Sequence, residues 1–532
     1  MSPNNEYLKK FFILSISLFI IPVLILIFIK LYTFIKSFDL YVTSGAEILT
    51  LNFLYNLTIG NNLLSSSENI LYEFYGLNFH LIYLPFVELF NIFNVSYLFT
   101  SRFLTTIIVL LISYTIFKIS KKIYFEDSFF NNKNFLLFFL ILTFTFNHQS
   151  SSWWVITYRP DMVAIFTSFL GIFFFLTYIE KKSYFFFLLS ILFFVISWTT
   201  KQNFLFGFTS IFLFLILKKR FTYLFYSIFL ILLIILLINF ITGYNNFDLL
   251  NRSPSTVASY FEIKNYFLIL IRYFAKNPYL IVLIYLVINH ILKNVNDKKL
   301  FFLLALIFLF LQSSIISVLH GAGINHMMSF LFLSLCGIYF INQKNSTIFV
   351  LTISFFLIIS SALNYIQILN YNKIGRQGLY FNQAEKNQIL NFQNHLKNKY
   401  TKPILVLGAG NRTEIFLLEE INGVDTQQLA SYLDPNWKQF LFRSKKEINN
   451  YEKIFKNKFD NIKTVIVLEN KNYLDKIEFI KKNNFEFEEE LVLTIYENNA
   501  RNFLNLYKIL FSKGKTINFK KKKFLIFTKT TF

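Results

Sequence analysis

Cysteine is nearly absent: a single one, Cys336, stands in 532 residues, and it lies inside an apolar run. No disulfide framework can form, and cysteine usage says nothing about the redox compartment. Polar faces are missing too. Runs such as Phe11 to Ile29, Tyr223 to Ile241 and Ile348 to Ile366 carry almost no polar residue. Each is long enough to cross ~30 Å of hydrocarbon as a helix. A soluble domain would need polar faces between such runs, so a soluble globular fold is excluded for most of the chain before Asn370. Acidic residues are scarce as well, 30 against 52 Lys and Arg, for a formal charge of +22. That balance could suggest nucleic acid, but the cations sit in short loops between apolar runs and in the tail, for example Lys520 to Lys523. In such loops Lys and Arg set membrane orientation. The first apolar segment is too long, and lacks the small-residue cleavage site, to be a removed signal peptide. It reads as a retained first helix.

What is present fixes a topology. Lys9 and Lys10 precede the first span. Lys118, Lys121 and Lys122 follow one from about Ser101 to Phe117. Lys181 and Lys182 follow the span starting near Asp161, and Lys218 to Arg220 end one from about Asn203. Lys293, Lys298 and Lys299, then Lys344, complete a pattern in which every second connection is basic. This predicts a cytoplasmic N-terminus, about eleven crossings and an extracytoplasmic C-terminal domain. For the alternation to hold, Leu77 to Phe93, which contains His80, Pro85, Glu88 and Asn91, must lie in the interface rather than cross. Tyr260 to Phe274 reads as a second interfacial helix. The first outer loop, residues 31–97, is far longer than a connector requires.

From about Asn370 the composition turns polar and the apolar runs shorten to strand length. Pro403 to Leu407, Thr464 to Leu468, Glu490 to Tyr496 and Phe524 to Thr528 read as strands, with a helix at Tyr473 to Lys482. This predicts a small α/β domain over residues 369–532, after a membrane domain over 1–368. Gly408-Ala-Gly410 lacks the third glycine of a dinucleotide fingerprint and reads as a tight strand-to-helix turn.

Ionisable residues gather on the outer side of this topology: Asp39, Glu47, Arg102, His148, Arg159, Asp161, Lys201, Arg252, Lys264, Arg272, His320 and His326. Charges at a membrane edge are costly, and they mark reaction sites or transport paths more often than packing. Ser44-Gly-Ala-Glu47 with Gly60-Asn-Asn-Leu63, Tyr75 with Leu84-Pro85, Ser101-Arg102 and Tyr158-Arg-Pro-Asp161 follow in an order that resembles the GT-C superfamily of integral-membrane glycosyltransferases. The likeness is to its bacterial protein-mannosyltransferase and aminoarabinose-transferase branch. Lys201-Gln202 and His320-Gly-Ala-Gly-Ile-Asn325 also resemble outer-side motifs of that branch. The similarity covers roughly the first 340 residues. The chain departs from the pattern at Ala46, which precedes Glu47 where many relatives carry a paired acid.

The resemblance implies transfer of a sugar from a polyprenyl-phosphate-linked donor to a cell-envelope acceptor on the outer face. The acceptor could be a lipid, glycan or protein. The chemistry needs a carboxylate to take the acceptor's proton and cations on the leaving phosphate. Glu47 is the favoured base, with Asp39 the alternative, and Asp161 is the second carboxylate. Helix capping is the lesser alternative for Glu47, and Pro160-Asp161 suits a helix start whatever its chemistry. Arg102, Arg159, Lys201 and Arg272 are the phosphate candidates, each also readable as a snorkelling cation. Tyr75, His148, His320, Asn325 and His326 are candidates for the acceptor and sugar pocket. The histidines could join Glu47 at a divalent metal, although they show no dedicated ligand spacing. A transporter or lipid-carrier flippase is the competing class. It predicts mid-span charges and inverted repeats, which the sequence does not show.

Overall fold

The computed structural model describes residues 50–51, 54, 57–58, 76–124, 138, 141–146, 155, 157–242, 246, 263–293, 295–318, 324–337, 383–400, 404–407, 459–468, 473–497 and 518–529. The chain divides into two units. One holds most of the apolar helices and the other the small sheet.

Gly76 leads into α1 (Leu77–Asn91), whose residues to Tyr83 fall in the helical unit, while Leu84 to Ser101 fall in the other. The 15 residues of α1 span about 22 Å. That is too short to cross a bilayer, in keeping with a helix lying in the interface. Next come α2 (Tyr97–Tyr124), α3 (Pro160–Lys181), α4 (Tyr184–Thr200), α5 (Phe206–Leu217) and α6 (Phe221–Thr242). α7 (Ile263–Lys276), α8 (Pro278–Lys293), α9 (Asp297–Val318), a 3₁₀ turn at Ile324–Met327 and α10 (Met328–Ser334) complete the unit. Among the described residues four helices are long and apolar enough to cross a membrane: α2, α3, α6 and α9. The expected spans at Phe11 to Ile29 and Ile348 to Ile366 lie outside the described residues.

Three elements differ from expectation. α2 runs on to Tyr124, so Lys118, Lys121 and Lys122 occupy its last turns rather than a loop. Lysines there complement the helix dipole and keep their ammonium groups at the edge. α5 starts at Phe206 rather than Asn203 and has only 12 residues. Its first free N–H groups are taken by Gln312 of α9, whose Oε1 accepts hydrogen bonds from Leu205 and Phe206 at 2.8 and 2.9 Å. α7 and α8 meet at a bend of 93°. Pro278 causes it, since the residue before a proline avoids helical geometry.

α3 and α4 form an antiparallel hairpin turned by Lys182, in the left-handed region at φ 55°. Phe194 of α4 fills space that two glycines leave. A Cβ on Gly171 of α3 or Gly207 of α5 would come within 2.9 or 2.1 Å of its ring. Packing this close is what fixes side chains at the helix ends.

The second unit contains α11 (Gln383–Lys399), α12 (Tyr473–Lys482) and a four-stranded sheet of order β1-β2-β4-β3. β1 (Ile404–Leu407) pairs in parallel with β2 (Thr464–Leu468), while β4 (Asn518–Lys529) runs antiparallel to both β2 and β3 (Phe485–Glu497). Lys520 to Lys523, read from sequence as tail, belong to β4. They lie opposite Val492 to Ile495 of β3, and Lys523 reaches Glu490 at 3.2 Å.

Candidate functional site

Tyr158-Arg-Pro-Asp161 is built to start a helix. Pro160 takes the first helical position, where its missing N–H costs nothing, and Asp161 sits in the positive first turn of α3. The Asp161 carboxylate is buried and accepts a 2.5 Å hydrogen bond from Lys201 Nζ. Arg159 Nε lies 3.6 Å from its other oxygen. Lys201 ends α4, its N–H bonded to Ser197 O at 2.9 Å. The α3–α4 hairpin therefore brings together residues 40 apart in sequence. Asp161 and Lys201 each also sit at the helix end of opposite sign, whereas Arg159 precedes the positive end of α3. Burying two ions is expensive unless both are paired, so this cluster must be held by its surroundings.

A small cleft opens beside the pair, lined by Asp161, Lys201, Asn203, Gln312, Ser313 and His326 among others. His326 comes from the 3₁₀ turn, and Ser313 and Ser329 share a 3.1 Å hydrogen bond across the wall. One end of the cleft is thus charged, and the rest mixes Asn203, Gln312 and serine side chains with Ile165, Phe204, Ile316 and Met328.

The start of α1 is fastened to both sides of the ion cluster. Gly76 N–H donates to Thr200 O at 3.1 Å, and Asn78 Nδ2 donates to Thr199 Oγ1 at 2.6 Å. A Cβ at residue 76 would fall 1.3 Å from Thr199 O, so only glycine allows the approach. His80 Nδ1 meets Tyr158 Oη at 2.8 Å in a buried aromatic cluster, where Phe79 stacks on Tyr158 with centroids 4.6 Å apart.

Of the residues singled out from sequence, Asp161, Arg159, Lys201 and His326 come together here. Arg102 is fully buried in α2 and Arg272 lies on the exposed side of α7; neither lines the cleft. Asp39, Glu47, Tyr75, His148, His320 and the Gly408 turn lie outside the described residues, and only the backbone of Asn325 is described. Among the described residues no group of three or more His, Cys, Asp or Glu could hold a metal ion. Sequence reading missed Asn78, Thr199, Gln312 and Ser313. The available signal was a polar residue interrupting an apolar run, clearest at Gln312.

No family model matches the chain, and no curated protein does. Solved structures do. ArnT from Cupriavidus metallidurans in the apo state superposes with a TM-score of 0.53 at 10% identity, covering 95% of this chain and 97% of that one. The same protein bound to undecaprenyl phosphate gives a TM-score of 0.52 at 11% identity over the same shares. Identity this low speaks to the fold, and it does so over nearly the whole length of both chains. The chain is a multi-pass helical membrane protein with a C-terminal α/β domain, and its fold is that of ArnT.

Proposed function

We propose that this protein transfers a sugar from a polyprenyl-phosphate-linked donor to a lipid, glycan or protein acceptor at the outer face of the plasma membrane. The observation that carries the reading is the buried Asp161 held between Lys201 and Arg159 beside a small cleft of mixed lining. The GT-C fold supports it, as does the undecaprenyl phosphate bound to ArnT in the same fold. In this reading the N-terminus is cytoplasmic, residues 1–368 form the transferase domain, and residues 369–532 form an extracytoplasmic domain.

The chemistry divides between cations and carboxylates. The anomeric C–O bond to the carrier phosphate breaks as the acceptor oxygen bonds to that carbon. The phosphate leaves with the bonding electrons and the acceptor's proton passes to a carboxylate. Lys201 has three N–H donors and spends one on Asp161, while the Arg159 guanidinium carries five, so both can serve the phosphate without releasing the carboxylate. Arg offers the bidentate contact and Lys the point charge. Glu47 is the proposed base, with Asp39 as the alternative, and Asp161 orients the cations. Arg102 and Arg272 are further phosphate candidates. Tyr75, His148, His320, Asn325 and His326 are assigned to the acceptor and sugar pocket.

The test is transfer from a radiolabelled polyprenyl-phosphate sugar to envelope acceptors. Glu47→Ala should lose about 10²–10⁴-fold, the usual worth of a positioned proton acceptor, and Asp161→Ala should also fall. Unchanged transfer in both variants would remove these residues from the reaction.

A further inference from the structure

The first turns of α1 place Asn78 and His80 two residues apart, and each reaches a different arm of the ion cluster. Asn78 binds Thr199, two residues before Lys201. His80 binds Tyr158, one residue before Arg159. Gly76 adds a backbone bond to Thr200, directly before Lys201. Behind these contacts both arms are anchored. Thr199 Oγ1 donates to Val195 O at 2.8 Å, so its hydroxyl is fixed as an acceptor for Asn78. Ser197 Oγ donates to Ala164 O at 2.8 Å, tying α4 to α3 next to Asp161. Tyr158 is gripped by Phe79 and by Tyr83, whose hydroxyl lies 2.8 Å from Thr105 Oγ1.

We propose that Asn78 and His80 are positioning residues, one acting through Thr199 on Lys201 and the other through Tyr158 on Arg159, so that α1 sets the separation of the two cations flanking Asp161. The inference rests on the reading of this cluster as a phosphate site. Its physical basis is that two flexible cations beside one carboxylate have many arrangements, and only a narrow set presents a fork of the right span to a phosphate. Neither Asn78 nor His80 needs to touch the ligand.

The test is binding of farnesyl phosphate to the full-length protein in detergent, followed by calorimetry. Asn78→Ala and His80→Phe should each weaken binding about five-fold, the worth of one hydrogen bond, with the melting temperature retained. Asn78→Gln and His80→Gln, which keep a polar partner, should recover part of that loss. The decisive measurement is the background dependence. Asn78→Ala should add nothing once Lys201 is Ala but act in full on Arg159→Ala. His80→Phe should show the reverse. Should Asn78→Ala fail to fold, Thr199→Val removes the same bond at constant shape and must show the same pattern. Effects that add in every background, or no effect at all, overturn the positioning role while leaving the phosphate site intact. Failure of the unsubstituted protein to bind farnesyl phosphate overturns the phosphate site and the positioning role with it.

Discussion

The two ends of the helical unit hold their charges in opposite ways. At one end Asp161 is 5% exposed and meets Lys201 and Arg159. At the other, Glu180 is 43% exposed and meets Lys122 and Lys298 at 2.7 and 3.5 Å, with Lys218 and Asp297 paired nearby at 2.6 Å. α3 carries both acids, one in its first turn and one in its last. The Glu180 end has chemistry that membrane orientation alone would select, because its acid stays partly in water and its lysines flank the turns between helices. Orientation does not call for the buried end. Taking these ionised groups largely out of water is a penalty that membrane orientation does not demand, and under the proposed function this is the end where a substrate charge would be met.

That contrast can be broken or sharpened by measurement. The largest effect is expected for Asp161→Ala, which strands Lys201 and Arg159 without a counter-ion and should cost about 3–5 kcal/mol of stability. Chemical denaturation in detergent measures it, and a loss under 1 kcal/mol would make the two ends equivalent. Gly76→Ala comes next. Its Cβ cannot coexist with Thr199 O, and the forced shift should cost about 1–3 kcal/mol while leaving the Glu180 end untouched. An intermediate case lies in the other unit, where Glu489 is 23% exposed and accepts from Tyr400 Oη at 2.6 Å, with His395 and Lys399 at 2.7 and 3.1 Å. Burial alone would raise its pKa, but the hydrogen bonds from Tyr400, His395 and Lys399 outweigh it and hold the carboxyl at about 2. A depressed value stabilises the fold in full above the ordinary 4.5, and that contribution drains away as pH falls from there toward about 2. Glu489→Gln should cost about 1–2 kcal/mol at neutral pH and flatten the acid limb of the stability curve. The smallest effect is expected for Glu180→Gln, about 0–1 kcal/mol and reduced further by salt.

How far the sequence predicts this arrangement depends on the range of the interaction. Apolar runs mark α3, α6 and α9 almost to the residue, because a helix in lipid is a local property of composition. The strands β1 and β2 are equally plain, since a short apolar run between polar segments has few other uses. β4 is harder. Its lysine run resembles a tail until β3 supplies Glu490 and a ladder of partners. α5 is overestimated for a similar reason, as the residues before it are held in a loop capped by Gln312 from 107 positions away. Asp161, Arg159 and Lys201 were legible as charges at one membrane edge. Their mutual pairing was not, because it depends on the hairpin register. Asn78 with Thr199 and His80 with Tyr158 lie 121 and 78 residues apart. No local pattern announces them.

The elbow between α7 and α8 has a bearing on how the chain is counted. A hydropathy trace sees Tyr266 to Lys293 as apolar material sufficient for one full passage, interrupted only at Asn277 and Pro278. Folded through a right angle, the two arms follow different axes, so at most one of them can travel in depth. Tallying that stretch as two passages instead of at most one would flip the parity of the tally and send every later connection to the wrong compartment.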